Sequence, residues 1–345
     1  MVALVVATVF IAFAFDFVNG FHDSANSIAT IVSTRVLTPL QAVAWAAFWN
    51  FAAAFTFGTA VAKTVGRGLV DLSIVDPWVI LSALLGAILW DLITWYYGLP
   101  SSSSHALLGG YAGAAIAKAG VHALIFSGWV KPLAAIIISP FLGFVFAGII
   151  GIGSLWAVRN SRPGRVDRWF RRLQLVSSAA FSFSHGSNDA QKTIGIILGL
   201  LVTSNVLFAD PDTPLHFFYV ASAEHIPVWV IFCAYSMIAL GTLFGGWRIV
   251  RTMGTRITQL RPISGFAAET GGACSILIAS FSGVPVSTTH TISGAIMGVG
   301  ALRRASAVRW GVAGEMVIAW ILTIPASAFA AGALYWLAHL LGLTS

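Results

Sequence analysis

The sequence predicts an all-α integral membrane protein built from two inverted-topology repeats with broken helices and two re-entrant helical hairpins. Three observations carry this. The 345 residues are 58 % hydrophobic and only 9 % charged, against roughly a quarter charged in an average soluble domain. Two polar motifs recur in the same order in the two halves of the chain. The arginines gather in short stretches between apolar runs.

So much apolar surface has to face lipid, and the length accommodates on the order of ten helices of about 20 residues each. The formal net charge of +7 does not imply a nucleic-acid partner, because arginines between apolar runs are orientation signals for membrane insertion. Cys233 and Cys274 lie in apolar stretches without metal-ligand spacing and read as buried core residues. Val2 to Phe15 is apolar with no basic segment before it and no small-residue cleavage site, so it reads as a membrane helix and not as a signal peptide.

The duplication is explicit. Gly98-Leu99-Pro100-Ser101-Ser102-Ser103-Ser104-His105 resembles Gly283-Val284-Pro285-Val286-Ser287-Thr288-Thr289-His290, with an offset of 185 residues from Pro100 to Pro285. Gly109 and Gly113 keep that register with Gly294 and Gly298. Asn19 to Asn26 likewise resembles His185 to Lys192, with an offset of 166 residues from Asp23 to Asp189. The repeats are therefore placed at 1–158 and 173–345, joined by a basic cytoplasmic linker at 159–172.

Each segment then follows in order. Met1 to Arg35 and Leu173 to Ser204 each exceed 30 residues, more than about 45 Å of helix. Each holds a polar, glycine-bearing motif, and a break is expected there, at Asn19 to Asn26 and at Ser184 to Asp189. The linker carries Arg159, Arg162, Arg165, Arg168, Arg171 and Arg172 against Asp167. Arg248, Arg251, Arg256 and Arg261 follow the apolar run near 227–247, and Arg303, Arg304 and Arg309 follow the second proline motif. The positive-inside rule puts all three on the cytoplasmic side. Ser204 to Ile226 has no Lys or Arg and holds Asp210, Asp212 and Glu224, an external segment. Residues 263–302 then have both ends inside, as a re-entrant hairpin tipped at Gly283 to His290. The counterpart at about 77–118 enters from outside, and both termini are external. Two ordinary spanning helices per hairpin is the alternative topology.

The tips suit an oxyanion. Proline ends one helix, Ser or Thr caps the next, and the free N–H groups point at whatever sits there. Ser101, Ser102, Ser103, Ser104, Ser287, Thr288 and Thr289 add neutral donors, which bind an anion without trapping it. A lone tip of this kind would equally serve only to cap its helix. Asp23 and Asp189 lie inside apolar segments, where a carboxylate is expensive unless it functions. With Asn26 and Asn188 they offer hard oxygen ligands to Na⁺ or a carboxylate for a proton. Glu269, Asp91 and Asp16 are further intramembrane acids that either act directly or bond neighbouring helices, and Glu315 can pair with an arginine near the surface. His105 and His290 occupy matching positions and either contact the anion or bond a backbone carbonyl. His22 and His185 flank the acidic motifs without aligning with each other. Lys192 stands where the first half has Asn26, as a counter-charge to Asp189 or to the substrate.

Asn19-Gly20-Phe21-His22-Asp23-Ser24-Ala25-Asn26-Ser27, Gly186-Ser187-Asn188-Asp189 and the two hydroxyl tips together resemble the inorganic phosphate transporter (PiT) family, in its short prokaryotic form without a long soluble central loop. The resemblance spans nearly the whole chain. It implies a homodimeric cell-membrane carrier that symports phosphate with Na⁺ or H⁺ by alternating access and has no other cofactor. It assigns Asp23, Asn26, Asn188 and Asp189 to cation coordination. Phosphate falls to both tips with Asp23, Asp189 and Gln191, and His105, His290, Lys192 and Glu269 are accessory candidates. The second motif departs from the family pattern, since Gln191-Lys192 replaces Ala-Asn. Sulfate is the alternative cargo. An intramembrane hydrolase using Ser104 and His105 is disfavoured, since neighbours on a helix point about 100° apart. A channel would show a continuous polar stripe that the long helices lack.

Overall fold

The computed structural model describes residues 1–55, 58–222 and 224–344, without the Arg67 side chain. Twelve α-helices run through the described residues: α1 (Val2–Ser33), α2 (Pro39–Ala52), α3 (Ala60–Gly68), α4 (Pro77–Tyr97), α5 (Ser103–Ala119), α6 (Phe126–Ala157), α7 (Pro163–Thr203), α8 (Val228–Phe244), α9 (Trp247–Arg251), α10 (Pro262–Phe281), α11 (Thr288–Ala301) and α12 (Trp310–Leu340). Five of them, α1, α4, α6, α10 and α12, are long and apolar enough to cross a membrane, and up to seven spans result if two bent helix pairs are counted. The protein is a multi-pass membrane protein.

Local chemistry sets the helix ends. Asp76 caps α4 by accepting from Val79 N at 2.8 Å, with Pro77 in the first turn. Gly98, with φ 67°, ends the same helix, and Gly283, with φ 65°, ends the turn after α10. Both adopt the left-handed conformation that glycine takes without penalty. Equivalent backbone bonds close the two turns, Leu99 N to Thr94 O and Val284 N to Ala279 O, each at 2.9 Å.

Burial is inverted relative to a soluble protein. The outer faces of α6 and α12 are apolar and open, with Ile137 76 % and Phe329 80 % exposed, as lipid-facing surfaces are. Cys233 and Cys274, expected in the core, are exposed instead, because an apolar stretch in a membrane protein can face outward as well as inward. The interior holds carboxylates, histidines, amides and hydroxyls together.

The helices pack reciprocally. The hairpin α4–α5 of the first half packs on α12 of the second, and the hairpin α10–α11 of the second packs on α6 of the first. In the same way α1 packs on α8, and α7 on α2. Glycine makes the tip-helix contacts close. A Cβ on Gly294 would lie 2.0 Å from the Pro140 carbonyl oxygen, and one on Gly113 would lie 2.1 Å from that of Ala328. Backbones that approach so closely replace the hydrophobic drive that lipid denies to helix association.

The expected breaks in the two motif helices are absent. Helix α1 is continuous through Asn19 to Asn26, and α7 through Ser184 to Asp189. The motif glycines serve contact instead, for a Cβ on Gly20 would lie 2.1 Å from Ile238 O, and one on Gly186 would lie 2.6 Å from Asn50 O. The excess length of α7 has a different cause: ten residues of the basic linker, from Pro163 on, are its first turns. A break does occur one helix later, where α8 and the Trp247–Arg256 segment meet at 62° beside Gly245, φ 71°. Each hydroxyl tip does join two helices folded back on one another.

Candidate functional site

The two tips meet at the centre with the acidic stretches of α1 and α7. Ser101 to Ser104, Ser287 to Thr289, Asp23, Asn26, Asn188, Asp189 and Lys192 are each no more than 3 % exposed, so the site is occluded from both sides.

The tip hydroxyls divide their work. Ser102 and Ser287 are N-caps, accepting from His105 N at 3.3 Å and His290 N at 3.1 Å. Their oxygens are spent on helix ends. Ser101 donates to Thr94 Oγ1 at 2.7 Å and lies 3.3 Å from His22 Nε2, so it fastens the first tip to α4 and α1. The remaining four face the centre. Ser103 donates to Asp23 Oδ1 at 3.3 Å and Thr288 to Asp189 Oδ2 at 3.2 Å, a pair of equivalent bonds in the two halves. Thr289 reaches Asp23 Oδ1 at 3.5 Å. Ser104 accepts from Lys192 Nζ at 2.5 Å.

The motif helices also cross between halves. Asn26 Nδ2 donates to Thr289 Oγ1 at 2.9 Å and to Thr288 Oγ1 at 3.3 Å. Asn188 holds the second tip in place, donating to Ser280 Oγ at 2.9 Å and accepting from Val286 N at 3.3 Å. His22, its counterpart in register, does the same for the first tip through Thr94, 3.1 Å away, while its Nδ1 lies 2.8 Å from Asp23 Oδ1. Since a carboxylate only accepts, Nδ1 carries the proton. His185 stands 3.3 Å from Asp189 Oδ2 and 3.2 Å from Asn50 Oδ1.

One ligand atom each from Asp23, Asp189 and His185 falls within 4.8 Å of the others. That is the separation across a cation with ligands about 2.4 Å out. The centre therefore sets hydroxyl donors beside a cluster of side chains with the spacing of cation ligands.

Several candidates lie elsewhere. Gln191, grouped by resemblance with the phosphate ligands, accepts from Val61 N at 3.0 Å and donates to Ser187 O at 2.6 Å. Its amide secures the N-terminus of α3, which in turn holds the second tip through Thr64 Oγ1 to Gly283 O at 2.9 Å. His105 and His290 pack edge to face, with centroids 4.6 Å apart, and His290 stacks on Trp320. The rings thus touch between the two hairpins, one from α5 and one from α11. Glu269 makes a separate cluster, accepting from Thr30 at 2.6 Å, Gln174 at 2.9 Å and Ser177 at 2.5 Å. Thr30 is seven residues from Asp23, about 10 Å along α1. Asp16 and Asp91 are fully buried beside the centre.

Residues that sequence reasoning passed over include Thr94, Asn50, Thr242, Gln174 and Ser177. Asn50 had a readable signal, a lone amide inside Ala42 to Ala54. It donates to Thr242 Oγ1 at 3.0 Å. Thr94 and Gln174 have none, since threonine and glutamine are unremarkable at helix ends.

The chain is similar over nearly its whole length to several known proteins. A Rhizobium meliloti protein named "Probable low-affinity inorganic phosphate transporter" is 52 % identical over 98 % of this chain and 97 % of its own. A Bacillus subtilis protein of the same name is 45 % identical over 99 % of both. A solved structure titled "The sodium-dependent phosphate transporter" superposes with a TM-score of 0.84 at 27 % identity, covering 98 % of this chain and 99 % of that one. The sequence profile of the Phosphate transporter family matches residues 19–163 and 152–331. The chain belongs to the Phosphate transporter family.

Proposed function

We propose that the protein symports inorganic phosphate with Na⁺ or H⁺ across the cell membrane by alternating access. The observation that carries this is the convergence of Ser103, Thr288 and Thr289, from two hairpins, on the buried Asp23 and Asp189, with Ser104 beside them on Lys192. Relatives named as phosphate transporters support the cargo, and a sodium-dependent one of like fold supports coupling to a cation.

The chemistry follows from the donors. Three neutral hydroxyls can turn from the carboxylates to a tetrahedral anion, beside Ser104 and two half-helix N-termini. Asp189 keeps the Lys192 ammonium, but Asp23, relieved of these donors, needs a positive partner. A co-bound cation supplies it and makes the joint load electrostatically cheaper to bury than phosphate alone. Asn26 and Asn188 keep the tips within reach of the acids. Reciprocal packing lets one set of hairpins move against the other around a fixed centre, the arrangement expected of inverted repeats. Inverted halves at 1–158 and 173–345, re-entrant hairpins, external termini and assembly as a homodimer belong to the same proposal. Cysteine accessibility at each end and cross-linking in membranes test them.

The transport reading is tested with purified protein in liposomes, by uptake of labelled phosphate driven by a Na⁺ gradient and then by a pH gradient, each with excess sulfate. Gradient-driven uptake that sulfate does not suppress is expected. No uptake under either gradient would overturn the reading. Asp23→Asn and Asp189→Asn are each expected to abolish it.

A further inference from the structure

Lys192 is 1 % exposed, and three oxygens of different kinds hold its ammonium: Asp189 Oδ1 at 2.5 Å, Ser104 Oγ at 2.5 Å and the Val286 carbonyl at 2.6 Å. A carboxylate, a hydroxyl and a backbone carbonyl converging on one point form the ligand set of a monovalent cation. The register of the repeat makes Asn26 the counterpart of Lys192, Asp23 that of Asp189, and Thr289 that of Ser104. The equivalent bond exists in the other half, where Asn26 reaches Thr289 at 2.9 Å, but it brings no charge. Asp189 is thus compensated by a resident ammonium, whereas Asp23 meets only His22 and two hydroxyls through Oδ1. Its Oδ2 has no hydrogen-bond partner among the described residues. A buried carboxylate oxygen left this way is costly, and Asp23 also offers one carboxylate oxygen to the cluster shared with His185 and Asp189.

Resting on the symport reading, we propose that Lys192 is a tethered cation that permanently fills one of two equivalent cation positions, leaving only the Asp23 position for a mobile ion. A bound Na⁺ leaves with the phosphate and carries the energy of its gradient; a covalently held ammonium cannot. It therefore neutralises Asp189 in every state of the cycle and contributes no driving force. The protein moves one coupling cation fewer per phosphate than a carrier with asparagine in both halves, and concentrates phosphate less steeply.

Lys192→Asn restores the residue of the first half and tests this. The purified variant is expected to gain a Na⁺-dependent rise in melting temperature that choline does not produce and the wild type lacks or shows more weakly. In liposomes, counting labelled Na⁺ against labelled phosphate should give one more Na⁺ per phosphate in the variant than in the wild type. An unchanged count with no added Na⁺ stabilisation overturns the proposal, as does a loss of phosphate binding that Na⁺ fails to restore, which would make Lys192 a phosphate ligand. If Lys192→Asn does not fold, the wild type decides: one coupling cation per phosphate supports the proposal, and none, or two or more, overturns it. Failure of the symport reading is distinguishable, because the wild type would then show no gradient-driven uptake while Na⁺ stabilisation of the variant remained measurable.

Discussion

Removing the charge of Asp189 should be more damaging than removing the whole ion pair it belongs to. Asp189 is wholly buried, and its Oδ1 lies 2.5 Å from a Lys192 ammonium that is itself 1 % exposed. Asp189→Asn keeps the shape but leaves the ammonium with neutral oxygens only. Breaking a buried pair by removing one partner costs about 3–5 kcal/mol, because the other charge stays uncompensated in a medium that cannot solvate it. At about 1.4 kcal/mol per tenfold, the folded fraction under denaturing conditions should fall by roughly a hundred- to a few-thousand-fold. The double variant Asp189→Asn/Lys192→Met removes both charges. Replacing a whole buried pair is neutral or favourable as often as not, so it should recover at least half of the single variant's loss. Equilibrium unfolding of all four members of the cycle in detergent, followed by tryptophan fluorescence, measures the coupling directly. A single variant as stable as the wild type, or a double variant that loses the simple total of the two singles, would refute the reasoning.

Three further outcomes follow from the same contacts. Gly294→Val should disrupt the α11–α6 seam, because its Cβ would lie 2.0 Å from the Pro140 carbonyl oxygen and backbone cannot yield that distance cheaply; a melting temperature within a degree or so of the wild type would contradict the glycine-contact account. Ser287→Ala should cost about 1 kcal/mol of stability as a lost N-cap while leaving phosphate binding measurable, whereas Thr288→Val should spare stability and weaken phosphate binding, and calorimetry on both separates capping from ligation. Glu269→Gln exchanges an acceptor of three hydrogen bonds for an amide that must donate on one side, at a cost of about 1–3 kcal/mol per buried group left unmatched. Unfolding curves check it, and an unchanged midpoint would show that the cluster bears no load.

The architecture was legible where it follows from composition and periodic chemistry. The apolar skin of α6 and α12 and the two proline–hydroxyl turns could be read because lipid admits few alternatives and because a repeat doubles every signal. The Asp23 and Asp189 centre was legible for the same reason, carboxylates being rare in apolar segments. What escaped depended on neighbours distant in sequence. Gly20 and Gly186 look like helix breakers until Ile238 and Asn50 are seen packed against them. Ser102 and Ser287 cannot be told from Ser103 and Thr288 by residue type, and only the path of the backbone decides which hydroxyl caps and which faces inward. Gln191 has the chemistry of an anion ligand, yet its Nε2 donates to Ser187 O and its oxygen accepts from two N–H groups of α3. The exchange of partners between halves, with α12 on the first hairpin and α6 on the second, leaves no local trace at all.

The central claim is that anion and cation share one site, with the same hydroxyls serving the acids and the phosphate in turn. Titration calorimetry of phosphate into the purified protein, with and without a saturating coupling cation, tests it directly, since coupled sites must raise each other's affinity by the same factor. Tighter phosphate binding in the presence of Na⁺, or at lower pH for a proton, is expected, with the effect removed by Asp23→Asn. Phosphate affinity that is the same with and without the cation, at every pH tested, would contradict it.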